Sequence, residues 1–287
     1  MKWIDGISKA IDYIEDNITD ELLISDISGR AFMSAYYFQK GFSMLCGFTV
    51  GEYIRQRRLS LAGSELVSTD KKVIDIALKY GYDSPDSFTK AFTRFHGATP
   101  TAVRKDGAVI KSFARFKIII SLEGGDIMNY KIVEKDSFTV MGISKVFKYD
   151  SAFKEIPAFW SEHYQTGNNE FVCGIYGVCI DENKGGNEFE YLIADNYLPH
   201  KEVPDGFVTK VIPAHTWAVF PCKGAMPSAL QSVNKKIFSE WLPNSKDYEI
   251  AAGYNIELYG NPVDFPNGTQ DENYYSEIWI PVKKLSV

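Results

Sequence analysis

The sequence predicts two domains of different class. An all-α domain over residues 1–105 carries two helix-turn-helix units, a linker follows over 106–126, and an α+β domain fills 127–287 with two strand–strand–helix–strand–strand halves. Three observations predict this. The 287 residues exceed the roughly 150 typical of one domain. Residues 24–55, moved 50 positions along, meet residues 74–105 with matching chemistry, which marks a repeated supersecondary unit. Beyond residue 127 the apolar period changes from helical to alternating.

Composition sets the outer limits. The 45% hydrophobic and 24% charged residues suit a protein that buries cores, and the 14% aromatic share is high enough to need a use. No apolar run approaches the roughly 18 residues of a membrane span. The opening MKWIDGISKAIDYIEDN reads as an acidic amphipathic helix rather than a signal sequence, so a cytoplasmic protein with no membrane contact is expected. Cys46, Cys173, Cys179 and Cys222 have no metal-ligand spacing. In the strand expected there, Cys173 and Cys179 would lie roughly 20 Å apart, too far for a disulfide. Reduced thiols are expected, and no cofactor.

In the repeat, Ile24 meets Ile74, Phe32 meets Tyr82, Ser34 meets Ser84, and Phe38 meets Phe88; Lys40, Phe42, Gly47 and Thr49 then meet Lys90, Phe92, Gly97 and Thr99. In copy one a helix near 22–31 buries Leu23, Ile27 and Ala31, with Asp26 and Arg30 spaced to pair. Ser34 caps a second helix over 35–45, with Phe38, Phe42 and Leu45 inward. Copy two repeats this with Val73, Ile74 and Ala77, the Gly81–Tyr82 turn, the Ser84 cap, Pro85 at the first helical position, and Phe88, Phe92 and Phe95 inward. Gly47 and Gly97 end the second helices. A helix from Val50 to Ser68, roughly 27 Å long, joins the copies and suits two recognition helices in successive major-groove segments.

Charge is distributed to match. Residues 1–105 hold 14 Lys and Arg against 13 Asp and Glu, while residues 106–287 hold 17 against 24. A domain total of +1 is modest for a nucleic-acid binder. Yet no acid occurs from Ile27 to Gly51 or from Ser87 to Lys105, so two acid-free faces are centred on the second helices. Phosphate attraction needs that local arrangement.

The runs ISDISGRAFMSAYYFQKGFSMLCGFTVGEYIRQRRL and VIDIALKYGYDSPDSFTKAFTRFHGATPTAVRK resemble the AraC/XylS DNA-binding domain. The resemblance implies a base-reading face at Tyr36, Gln39 and Lys40 of the first recognition helix. In the second helix it falls at Pro85, Asp86, Thr89 and Lys90, and Arg55 and Arg94 add positive charge for the backbone. Pro85 lacks a side-chain donor and Asp86 repels phosphate unless it accepts from a cytosine amino group, so the first helix is expected to carry more of the specificity. Lys in place of Arg at 40 and 90 gives up the bidentate fork. Of Tyr36 and Tyr37, only one is expected to face outward.

In the second half, strands are expected at 129–134, 138–147, 171–180, 188–195, 207–213, 215–221, 253–259 and 275–283, with a short additional strand at Phe116–Leu122. Helices are expected at Ser151–Gln165, with Phe153, Ile156, Phe159 and Trp160 on one side and Pro157 inside, and at Pro227–Trp241, with Leu230, Val233, Ile237, Phe238 and Trp241 inward. MNYKIVEKDSFTVMGIS and EIWIPVKK resemble the GyrI-like, or AraC effector-binding, domain, and the domain order resembles Rob-type regulators. The resemblance implies a cleft between the halves for an apolar, often cationic, small molecule, with a glutamate at its base. By position that glutamate is Glu277, between Tyr275 and Trp279 on one strand face; an edge glutamate facing water is the competing reading. The candidate wall is Phe147, Trp160, Tyr164 and Tyr176, with Tyr191, Trp217, Tyr254 and Trp279 beside them. Aromatic faces and a poorly solvated carboxylate both favour a cation, although strand aromatics also serve as packing.

No catalytic motif is present, and His96, His163, His200 and His215 are scattered. The expected function is a ligand-responsive transcription regulator rather than an enzyme, with promoter duplex DNA, a small-molecule effector and RNA polymerase as partners. The alternative is a hydrolase acting on small electrophiles through Glu277.

Overall fold

A computed structural model of the chain describes residues 2–106, 109–118, 128–181 and 187–285. The first part is helical: α1 (Lys2–Asp16), α2 (Ile24–Arg30), α3 (Ala35–Cys46), α4 (Val50–Ser68), α5 (Val73–Lys79), α6 (Pro85–His96) and α7 (Pro100–Asp106). Several boundaries have a local cause. Ser34 accepts the Tyr37 N–H and Ser84 the Ser87 N–H, while Gly47 and Gly97 close the second helices in the left-handed conformation, with φ of 73° and 87°. A reciprocal capping box between Thr49 and Glu52 starts the connecting helix α4. Among the described residues no helix is long and apolar enough to cross a membrane.

Three residues expected inside the repeats are exposed: Leu23, Leu45 and Ile74. Leu23 is the N-cap residue before α2, Leu45 lies at the end of α3, and on α5 Ile76 and Ala77 fill the buried stripe in place of Ile74. Arg30 does not look to Asp26 but lies over the Tyr13 ring of α1, 4.7 Å from its centroid.

Among the described residues the second part has nine strands in one sheet: β1 (Lys131–Lys135), β2 (Phe138–Lys148), β3 (Tyr176–Ile180), β4 (Glu188–Asn196), β5 (Val208–Ile212), β6 (His215–Lys223), β7 (Tyr248–Ile250), β8 (Tyr254–Tyr259) and β9 (Tyr275–Lys284). The order is β1-β6-β9-β8-β3-β4-β2-β5, with β7 pairing on β9 and all pairs antiparallel. Two helices lie on one face: α8 (Tyr149–Gln165), which contains Pro157, and α9 (Ser228–Lys236). The expected continuous helix to Trp241 instead changes to a π turn over Ile237–Trp241, which still turns Ile237, Phe238 and Trp241 inward.

Pairing relates the two halves by strand exchange. β1 leaves its own half to pair with β6 of the second, and β5 leaves the second to pair with β2 of the first. Five strands separate β1 from β2 in the order, yet only Asp136 and Ser137 connect them along the chain. A flat sheet would place them roughly 29 Å apart at 4.8 Å per step. The sheet therefore curls, and Val133 of β1 and Val208 of β5 share one apolar cluster with Tyr176, Trp217 and Ile256 on the concave face.

Some expected strands are shorter or absent. Residues 171–175 are not a strand: Gly174 has φ of 82°, and the Asp195 carboxylate accepts the backbone N–H groups of Cys173, Gly174 and Ile175. Phe116–Ile118 is not a strand either; Phe116 stacks on Tyr53 of α4, 4.6 Å between centroids, and the remainder of that expected strand lies outside the described residues.

Candidate functional site

The second helix of the second helix-turn-helix unit, α6, presents its outer face to solvent. Phe88 and Phe92 are fully buried, which turns Asp86, Lys90 and Arg94 outward and leaves Thr89 half-buried. Arg55 on α4 is exposed as well. Its neighbours are committed to the fold: Arg57 is paired with Glu15 at 2.7 Å, and Arg58 donates to the carbonyls of Ile18 and Asp20.

The corresponding helix of the first unit, α3, is covered. Tyr36 is 5% exposed, Tyr37 0% and Gln39 5%. The expectation that one tyrosine faces outward is therefore corrected, because α3 is packed on both sides. Phe38 and Phe42 face the helical core, while Tyr36 and Tyr37 enter the groove between α8 and α9. Asp181, just after β3, accepts the Tyr36 N–H at 2.8 Å and the Tyr149 hydroxyl at 2.7 Å. A carboxylate there complements the first turn of α3. The Tyr36 hydroxyl donates to Asn255 Oδ1 at 3.2 Å, and Lys40 Nζ donates to the same oxygen at 3.0 Å. The Tyr36 ring meets Phe189 edge-on at 5.3 Å. Gly41 permits the approach, since a Cβ there would stand 2.3 Å from the Trp3 ring and 3.0 Å from Phe238.

The groove continues beyond Tyr36. Trp160 of α8 donates to the Tyr191 hydroxyl at 2.9 Å and lies edge-on to Tyr259 at 5.2 Å, while Tyr259 donates to Glu257 Oε2 at 2.7 Å. Gly177 leaves room for the group, because a Cβ there would stand 2.2 Å from the Tyr191 oxygen. Cys179 lies on the floor of the groove. Burial pushes its thiol up to about 12; the nearby Lys40 ammonium pulls it down and the Glu257 carboxylate pushes it up. Tyr36, Tyr191 and Tyr259 are pushed well above the usual phenol value, by burial first and then by Cys179 for Tyr36 and by Glu257 for Tyr191 and Tyr259. Phe147 also faces this side, 6.2 Å from Tyr191, and half-exposed Tyr164 stacks on Trp160 at 6.3 Å.

The other candidates lie across the sheet. Tyr176, Trp217 and Tyr254 belong to the concave cluster, and Trp279 packs against it. Glu277 sits opposite Pro221 and Leu258, on the face away from the helices. It does lie between Tyr275 and Trp279 as expected, and each donates to it at 2.6 Å. Lys131 completes the set at 3.2 Å. Burial pushes this carboxyl up, but the three donors outweigh it and hold the group below the usual carboxylate range. The expected single wall around Glu277 is thus corrected: strand alternation puts Tyr191 and Phe147 on the face that α8 covers with Trp160 and Tyr164, and Glu277, Tyr176, Trp217, Tyr254 and Trp279 on the other.

Sequence reading missed Glu257, Tyr259 and Asn255. The signal was available in the alternation of Tyr254-Asn-Ile-Glu-Leu-Tyr259, which puts Asn255, Glu257 and Tyr259 together opposite Tyr254. Asp181 and the docking of α3 left no signal, because they join residues 145 apart.

Comparisons with known proteins agree with this architecture. Residues 131–282 match the family Cass2, integron-associated effector binding protein, and residues 27–106 match a helix-turn-helix domain family. The chain is 41% identical over 98 residues to the HTH-type transcriptional activator AarP of Providencia stuartii, covering 34% of this chain and 73% of AarP. It is 23% identical over 285 residues to the transcriptional regulator Rob of Salmonella typhimurium, covering 95% and 96% of the two chains. The solved structure of SAV2435 bound to tetraphenylphosphonium is similar at 25% identity, with a TM-score of 0.48, over 54% of this chain and 94% of that one. The protein is an AraC-type transcription regulator whose C-terminal half belongs to the Cass2 family of GyrI-like effector-binding domains.

Proposed function

We propose that the protein binds promoter duplex DNA through α3 and α6 and takes an apolar cation into the groove between α8 and α9, acting with RNA polymerase in the cytoplasm. The observation that carries the ligand side is Glu257: a carboxylate with one hydroxyl donor, set among Tyr259, Tyr191 and Trp160 on a floor opened by Gly177. An anion partly removed from water gains by receiving a cation, and the ring faces add to that attraction. Glu277 is the weaker candidate because Lys131, Tyr275 and Trp279 already hold it. For the same reason hydrolysis through Glu277 has no observation in its favour. On the DNA side, Lys90 and Arg94 are exposed on α6 with Asp86 as their neighbour of opposite sign.

Two measurements test the reading. Titration of the full chain with tetraphenylphosphonium, followed by tryptophan fluorescence, is expected to show binding that Glu257→Gln weakens about tenfold and Glu277→Gln leaves within twofold. The reverse ranking moves the site to the concave face. Fluorescence anisotropy with a mixed-sequence duplex is expected to show binding that Lys90→Ala weakens, with a salt slope shallower by about 0.9. An unchanged slope removes Lys90 from the DNA contacts.

A further inference from the structure

The residues assigned to DNA reading on α3 are the same residues that fill the end of the groove. Tyr36 donates to Asn255 and packs on Phe189 and Tyr149; Lys40 donates to Asn255; and Asp181 holds the first turn of α3 from below. From these contacts we infer that the C-terminal groove is a docking site for the protein's own first recognition helix, so that DNA and the docked helix exclude each other. The inference rests on the proposed DNA-reading role of α3 and adds the regulation of that site.

Three features make α3 an internal occupant of the effector groove rather than an ordinary domain contact. First, it brings an aromatic ring and an ammonium group, the chemistry proposed for the ligand: the Lys40 Nζ stands 5.4 Å from the Tyr36 centroid. Second, Lys40 and Glu257 act on the same floor residue, Cys179, so the helix's cation and the groove's anion share one local field. Third, docking is imperfect. Gln39 is buried with its Nε2 atom lacking a hydrogen-bond partner. A buried orphan donor of this kind is destabilising, and undocking into water or onto a base edge would remove that cost.

The consequence is a linked equilibrium. While α3 is docked, Tyr36, Gln39 and Lys40 cannot enter a major groove, and only α6 offers its face. A cation that takes the groove end beside Glu257 binds the undocked state better, and a ligand shifts an equilibrium by that difference in affinity. Effector binding and DNA binding therefore reinforce each other through release of α3.

The test uses the full chain, a 30-base-pair mixed-sequence duplex and tetraphenylphosphonium. Asp181→Ala and the double variant Asp181→Ala/Asn255→Ala lie outside both DNA-reading helices, and their folding is checked by circular dichroism melts. Both are expected to bind the duplex about tenfold more tightly than wild type. Their salt slope should steepen by about one as Lys40 joins the contacts. The cation should tighten DNA binding by wild type and have little further effect on the variants. Hydrogen exchange needs no variant: amides of α3, including Tyr36, should exchange faster with cation present while those of α6 do not change.

Folded variants with wild-type affinity and slope overturn the masking of α3. A cation that binds without speeding α3 exchange overturns the competition. If wild type and folded variants alike fail to bind duplex, the DNA reading itself falls and the inference with it.

Discussion

The two helix-turn-helix copies are built from the same pattern and end in opposite environments. Each has a serine cap, two inward phenylalanines, an outward lysine and a terminal left-handed glycine. Yet Lys90 stands in solvent while Lys40 bonds to Asn255 of the other domain. The difference lies in one helix face. α6 carries Pro, Asp, Thr and Lys on its outer side, none of which gains by burial, whereas α3 carries Tyr36 beside Tyr37, whose rings do. A repeat fixes a unit's internal packing; its outer residues decide whether a second domain covers it.

The cores offer the largest effects with which to break this comparison. Phe42 and Phe92 are equivalent and both 0% exposed, so Phe42→Ala and Phe92→Ala are each expected to cost about 3–5 kcal/mol. They should differ in reach. Phe42 belongs to an apolar cluster that runs on into the β-sheet domain through Phe189, Phe238 and Ile278, whereas Phe92 belongs to a local cluster with Leu59, Ile76 and Phe88. The five tryptophans (Trp3, Trp160, Trp217, Trp241 and Trp279) all lie outside that local cluster. Denaturation followed by tryptophan fluorescence should thus report Phe42→Ala strongly and Phe92→Ala weakly, with far-ultraviolet circular dichroism reporting both. Equal fluorescence shifts would show that the copies unfold as one.

A smaller effect separates the caps. Ser84→Ala should cost about 1 kcal/mol, the ordinary value for a lost serine cap. Ser34→Ala should cost less, because Asp181 still accepts the Tyr36 N–H in the same first turn. Chemical denaturation of the two variants compares them directly, and equal losses would mean that Asp181 contributes nothing to α3.

The smallest effect is electrostatic and belongs to copy two. Lys71, Lys79 and the Tyr80 hydroxyl all donate to Glu65 and hold its carboxyl down at about 2, against a weaker upward push from burial. A depressed carboxylate contributes stability that is complete above its unfolded value near 4.5 and is lost as pH falls toward 2. Both lysines are largely exposed, so the contribution is modest and screened by salt. Glu65→Gln should flatten the acid limb of the stability profile over that window; an unaltered limb would assign it to other carboxylates.

Much of the fold was legible because its signals are local. The serine caps, the glycine stops and Pro85 at the start of α6 each act within four residues. Seven of the eight strands expected after residue 127 overlap closely with observed ones, and the 171–180 segment begins late for a reason outside itself, the Asp195 carboxylate. The short β7 was invisible because three residues carry no period. The site was harder to read. Alternation assigns each strand residue to one of two faces, but it does not say which face the helices cover, and so alternation alone does not separate Glu277 from Glu257. Their difference is set by pairing: Glu257 lies opposite Gly177 under the helices, while Glu277 lies opposite Leu258 on the concave side.

By itself the sequence determined the two-domain division, the doubled helix-turn-helix and the paired strand–helix halves, because caps, periods and repeats are short-range and additive. Only the tertiary structure decided that the sheet curls on its own aromatic side chains and that α3 is seated in the groove on its other face. Both depend on contacts between residues more than a hundred positions apart, such as Tyr36 with Asp181 and Lys131 with Glu277, whose free energy exists only once the chain has closed around them.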